Sequence, residues 1–185
     1  GMYTAEIVEY SEAALNAVSR IPGHYTIKVD PLSDKHLLSK HGFYYCDTLI
    51  VPCCTAQKLV RIEHPDATIS KQTEWEELLP ICHGAFVHGR YHRDFNLEKT
   101  GADLRYDNWL QQFHLKDAVY GLYWSNELVG FIAHDANKLV LHALAESQRG
   151  RGRAKYWWSA VGSNLLTMGH EDVTSSISAS NLSAL

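Results

Sequence analysis

One stretch constrains this chain more than any other: a strand-like run, a turn built from glycine and arginine, an amphipathic helix and a second strand. "KLVLHALA" (Lys138 to Ala145) leads into "ESQRGRGR", residues 146–153. Ala154, Trp157, Trp158, Val161, Leu165 and Met168 then recur on one helical face, Gly169 closes the helix, and "DVTSSIS" (Asp172 to Ser178) reads as a strand. Glycines at a strand-to-helix turn let backbone approach a ligand closely. The helix N-terminus adds unpaired N–H groups and a partial positive charge. Gly152 leaves room for an oxygen-rich anion, and Arg149, Arg151 and Arg153 add charge around it. The physics of this turn points to phosphate or pyrophosphate. It does not point to nucleic acid: 17 Lys and Arg stand against 21 Asp and Glu, a net charge of −4, and no basic face accompanies the turn.

The segments around it extend the pattern. "AVYGLYW" (Ala118 to Trp124) and "LVGFIAH" (Leu128 to His134) are strands joined tightly through Ser125-Asn126-Glu127, an antiparallel hairpin. Upstream, Thr73 and Glu76 form a capping box ahead of Trp75, Leu78, Leu79, Cys82 and Phe86. Residues 88–103 show no period and read as a long loop, the kind that often carries function. Tyr106, Trp109, Leu110 and Phe113 restore helical spacing. The N-terminal part reads as a small α/β unit. It has a helix capped by Ser11, a strand at His24 to Asp30, a Ser33-capped helix ended by Gly42, and a strand at Phe43 to Val51 stopped by Pro52. The domains expected are an α/β extension over 1–66 and a second domain over 67–185, one α/β (α+β) architecture with no repeats. Gly1 before Met2 reads as a tag scar.

Composition narrows the class. Hydrophobic residues make up 45% of the 185, enough for a sizeable core. No apolar run approaches the ~20 residues of a membrane helix, and no signal peptide is evident, so no membrane partner is expected. Cys46, Cys53, Cys54 and Cys82 form no CxxC pair, which suits a reduced, cytoplasmic protein. His83, His88, His92 and Asp94 are spaced poorly for a metal cluster, and none is assigned.

Arg149-Gly150-Arg151-Gly152-Arg153-Ala154 resembles the R/Q-x-x-G-x-G/A signature of the GCN5-related N-acetyltransferases (GNAT), in the same strand–loop–helix–strand context. The resemblance covers roughly Thr68 to the C-terminus. It implies an acetyl-CoA-dependent acyltransferase with a mixed, mostly antiparallel sheet flanked by helices. The loop and helix N-terminus would hold the pyrophosphate, and the pantetheine arm would lie between two splayed strands, Lys138 to Ala145 and Asp172 to Ser178. Asn181 would contact the cofactor. A narrower likeness, to sugar-nucleotide N-acetyltransferases of the dTDP-fucosamine type, rests on the N-terminal unit and on Gly89-Arg90-Tyr91-His92, which matches their substrate-facing element. That likeness implies an amino-sugar acceptor. The family usually continues past the Asn with a helix bearing a Tyr that acts as general acid, then one or two closing strands. Here "NLSAL" reads as the first turn of such a helix, so the C-terminus looks incomplete, Ser175 to Ser178 would border an open edge, and dimerisation is expected. A non-catalytic acyl-CoA-binding or protein-interaction module is the alternative.

Moving an acetyl group from a thioester to an amine needs a base or water chain for the amine proton, donors for the developing oxyanion, and a donor or proton for the departing thiolate. Direct transfer requires no nucleophilic cysteine. Backbone at Ala143, Leu144 and Ala145 is the candidate for the thioester carbonyl and pantetheine. His142 and His92 are the candidate bases, with Asp94 a rival, and Arg90, Tyr91 and Asp94 the candidate contacts to a small-molecule amine. His142 and Leu144 share one strand face; Ala143 and Ala145 share the other.

Overall fold

The computed structural model describes residues 4–182 and 184. Gly1 lies outside them, as does part of the helical turn expected over 181–185. The chain divides into two compact units, 1–46 and 47–185. In the first, β1 (Thr4–Ile7) and β2 (His24–Ile27) pair in parallel around α1 (Glu12–Val18), followed by α2 (His36–Lys40). Ser11 caps α1, its hydroxyl accepting from Ala14 N at 3.2 Å. Ser33 does not cap α2; Lys35 holds that position and its side chain makes no capping bond. Leu15, Ile7 and Leu38 form the small core.

In the second unit a six-stranded sheet runs β4 (Cys53–Thr55), β9 (Asp172–Ser175), β8 (Lys138–Leu144), β7 (Glu127–Asp135), β6 (Val119–Trp124), β5 (Ala67–Ser70). Every neighbouring pair is antiparallel except β8–β9. A separate two-stranded ladder joins β3 (Leu49–Ile50) to β10 (Ile177–Ser178). Residues 43–51 form no single strand, which corrects that expectation, and residues 49–55 are bound to β9 and β10 within the unit that begins at Asp47. For the same reason the outer edge of Ser175 to Ser178 is not open: the chain's own β4 lies against β9 and β3 against β10.

The hairpin turn forms as expected, with Ser125 and Asn126 both left-handed (φ +49° and +69°), the geometry that matches the twist of adjoining strands. Helix α6 (Ala154–Thr167) packs Trp157, Val161 and Leu165 onto Tyr120, Leu122, Ile132 and Leu139. On the other face α3 (Trp75–Cys82), α4 (Arg90–Arg93) and α5 (Lys99–His114) bury Leu78, Tyr106, Leu110 and Phe113 against Phe131, Leu141 and Ala143. Each fully buried leucine or valine of these layers contributes about 1.5–3 kcal/mol. The capping box does not form. Glu74 is the N-cap of α3 and makes no side-chain bond. Thr73 instead packs its methyl toward Gly121, and its buried hydroxyl has no partner among the described residues. Much of the expected loop over 88–103 is helical: it contains α4 and the first turn of α5.

Candidate active site

The strand-to-helix turn and the parting of β8 from β9 define one site. Among the described residues β8 and β9 pair only at Lys138↔Thr174 and Leu139↔Ser175, with Thr174 N donating to Asn137 O at 3.0 Å and Ser175 Oγ to Leu139 O at 3.2 Å. Beyond them β10 turns away to β3. On its other side β8 stays bonded to β7 as far as Ala145, whose N–H donates to Val129 O at 2.9 Å. Ladder alternation therefore turns the N–H groups of His142 and Leu144 into the gap, while those of Ala143 and Ala145 face β7. Of the three residues expected to hold pantetheine, Leu144 has a gap-facing N–H and Ala145 has its own committed to the sheet. The pairing of β7 with β8 steps from Ala133↔Leu141 to His134↔Leu139, so Val140 is an extra residue, a bulge. The bulge puts Leu139 on the α6 face and Leu141 on the opposite face, and no sequence period announces it.

Past β8 the turn has the conformation that its glycines allow. Gly150 and Gly152 lie at φ +71° and +67°, and a Cβ at either would meet nothing, so backbone conformation, not space, calls for glycine. Arg153 is the N-cap of α6, no side chain caps that helix, and no acidic residue occupies its first turn, which begins at Ala154. The first N–H groups and the positive end of the helix dipole are thus left for an anion. The arginines are not equivalent. Arg149 Nε donates to Leu144 O at 2.9 Å, closing the last gap-side carbonyl of β8. Arg153 donates to Gln148 Oε1 at 3.1 Å and lies 3.7 Å over the Trp124 ring. Arg151 is exposed. Asn181 follows β10, its N–H donating to Ser178 O at 2.9 Å. A cavity of about 230 Å³ lined by His64, Tyr156, Ser159 and Asn164 sits along α6 and does not include this turn.

His142 lies on the α6 face of β8. Its Nδ1 accepts from Trp158 Nε1 at 2.8 Å, its Nε2 is buried without a partner among the described residues, and burial lowers its pKa to about 4. With one lone pair taken and the ring held neutral by desolvation, it does not fit the role of base expected of it.

The α3–α5 face holds the other candidates. His92 sits in α4 with its side chain 6% exposed; Nε2 donates to Asp103 Oδ1 at 2.8 Å and Nδ1 is buried without a partner among the described residues. Tyr91 and Asp94 are buried too, and their expected contact with an acceptor gives way to bracing. The Tyr91 ring lies under the guanidinium groups of Arg90 and Arg105, and its hydroxyl accepts from Arg90 at 3.0 Å. Asp94 accepts from Asn96 N at 2.9 Å and closes the turn after α4. Sequence reasoning weighed His83 only as a metal ligand; it lies 2.7 Å from Asp107, a residue 24 positions away. Asp103 and Asp107, four residues apart on α5, were the available signal.

No family model matches the sequence and no curated protein matches it. Solved structures do. A GCN5-related N-acetyltransferase from Sphaerobacter thermophilus is 14% identical with a TM-score of 0.59, over 85% of this chain and 51% of that one. The chain therefore spans about half the length of that protein. An acetyltransferase of the GNAT family from Colwellia psychrerythraea gives 13% and 0.53, over 94% and 64%. A functionally unknown conserved protein from Staphylococcus epidermidis gives 11% and 0.55, over 97% and 75%. The chain has the GNAT fold. The acyl-CoA site expected from the signature would fall at the parted strands and the glycine turn. The residues present suit such a group: an uncapped helix start for phosphate, and gap-facing backbone for an amide chain.

Proposed function

We propose that the chain is an acetyl-CoA-dependent N-acetyltransferase acting on a primary amine of a small acceptor. The observation that carries this is the parting of β8 from β9 directly beside the uncapped start of α6 and its two left-handed glycines. Arg151, Gly152 and the first N–H groups of α6 would hold the pyrophosphate. The N–H groups of His142 and Leu144 would direct the thioester carbonyl and the arm that carries it. Acetyl-CoA supplies the activated acetyl group; the chain orients it and excludes water. An amino sugar of a sugar nucleotide is the acceptor suggested by the likeness of Gly89-Arg90-Tyr91-His92 to a substrate-facing element, and its support is that likeness alone.

A second reading, a module that binds acyl-CoA without turnover, has one observation in its favour: His142 and His92 both direct their nitrogens inward. Calorimetry with acetyl-CoA and free CoA, followed by thiol release across a panel of amines that includes amino-sugar nucleotides, separates the two. Binding with thiol release supports the enzyme. Binding without release on any amine supports the module. No binding at millimolar acetyl-CoA overturns both.

A further inference from the structure

His83 offers what the other two histidines lack. It closes α3 as its C-cap, and its side chain is 57% exposed whereas that of Asp107 is 9% exposed. The Nδ1–Asp107 Oδ2 distance of 2.7 Å lets a buried carboxylate accept Nδ1–H, which fixes the tautomer and leaves a lone pair on Nε2 of a ring more than half exposed. The groups around it are Asp107 and Asp103 from α5 and Cys82 from α3. The hydrogen bond to Asp107, then its charge, hold the imidazole above its ordinary pKa; desolvation acts weakly the other way and Asp103 adds a little to the rise. Burial, then Asp107, pushes the Cys82 thiol far up, so it stays protonated and adds no charge.

The chain that follows His83 runs from the β7 side of the sheet to the segment after β10. Phe86 packs against Phe131 of β7 with ring centroids 6.5 Å apart, and Phe131 pairs with Ala143 of β8. Two residues further on, His88 O accepts from Ser180 Oγ at 3.3 Å, on the far side, beyond β10. An acceptor approaching the gap from this face passes the segment that His83 begins.

We propose that His83, oriented by Asp107, is the general base of the acetyl transfer; this rests on the function proposed above. Nε2 takes one proton from the acceptor ammonium. The neutral nitrogen forms the C–N bond as the thioester C–S bond breaks and sulfur leaves with that electron pair. The second nitrogen proton ends on the thiolate, and the imidazolium returns the first to solvent. Amine and thioester become amide and thiol with nothing oxidised or reduced.

The test uses the full chain, wild type, His83→Gln and Asp107→Asn. Acetyl-CoA binding is read by calorimetry, the pH profile of kcat/KM by thiol release, and the His83 ring by NMR without acetyl-CoA. His83→Gln is expected to lower kcat/KM about 10²–10³-fold at neutral pH, to abolish the acidic limb, and to leave acetyl-CoA affinity within about twofold, with partial rescue by added imidazole. Asp107→Asn is expected to move both the ring titration and the limb to lower pH. A His83→Gln profile superimposable on wild type, or a ring whose titration Asp107→Asn leaves in place, overturns the assignment. Failure of wild type to bind acetyl-CoA is a separate result that overturns the acetyl-transfer reading itself.

Discussion

Asp103 and Asp107 stand one turn apart on α5, and each holds a histidine, His92 from α4 and His83 from the end of α3. The bonds are nearly the same length, 2.8 Å to His92 and 2.7 Å to His83. What differs is the second nitrogen. His92 stacks on Tyr106 at 6.0 Å with its Nδ1 in the dry interior. His83 lies at the surface, backed by a carboxylate that solvent barely reaches. A carboxylate partner alone does not make a base. It orients an imidazole, and solvent access to the other nitrogen decides whether the pair can trade a proton or only holds two elements together.

Exchanging the two removals gives the largest effect. His83→Gln should cost roughly 3–4 kcal/mol of transition-state stabilisation, the equivalent of 10²–10³ in kcat/KM, with little change in thermal midpoint. His92→Leu should do the reverse. A large loss of kcat/KM in a well-folded His92→Leu protein would invert the comparison.

His142 extends the comparison to a histidine with no carboxylate at all. Its folded pKa, lowered to about 4, lies below the unfolded value near 6.5, so as pH falls the unfolded chain takes the proton first. The stability it protects is present above about pH 6.5 and is lost as pH falls toward 4, by roughly 3 kcal/mol in all. Urea midpoints across that interval should fall less steeply in His142→Gln than in wild type. Parallel slopes would show that the ring is not held neutral.

The bracing pair comes next in size. His92→Leu leaves Asp103, with a side chain 20% exposed, without its donor. A buried acceptor so orphaned costs about 2 kcal/mol, or a fall of about 4–8 °C in Tm for a chain of this length. A scan that shows no fall would mean that the pair is not a brace.

The parts of this layout that could be read from the chain are the local ones. Ser125-Asn126 declared its hairpin, and the run from Lys138 through Arg149–Ala154 to Trp157 and Val161 declared strand, turn and helix, because each depends on residues within one or two turns of each other. The parts that could not be read depend on distant partners. Nothing in "TLIVPCC" says that Leu49–Ile50 will meet Ile177–Ser178, or that Cys53–Thr55 will edge the sheet beside β9. Thr73 and Glu76 met the local rule for a cap, but packing on Gly121 overrode it. The site divides the same way. The anion turn was visible, but the inward burial of His92, Tyr91 and Asp94 was not. Nor was the pairing of His83 with Asp107, because Gly101 and the charged residues of 98–105 hid the first turns of α5 from any apolar period.

The smallest effect asks whether the anion turn and the His–Asp pairs are separable. Gly152→Ala places a Cβ at φ +67°, where it meets no atom but pays the intrinsic left-handed penalty of about 1 kcal/mol. That penalty is relieved by distorting the turn, so acetyl-CoA affinity should weaken by about fivefold to tenfold, a change of about 1 kcal/mol. The His83 ring should titrate as in wild type, because α6 and α5 lie on opposite faces of the sheet. Weaker binding with an unchanged ring would show that the cofactor turn and the base are independent devices on one sheet. A ring titration that moved with Gly152→Ala would show that the two faces of the sheet communicate through β8, and the contrast between the two pairs on α5 would then depend on the state of the turn.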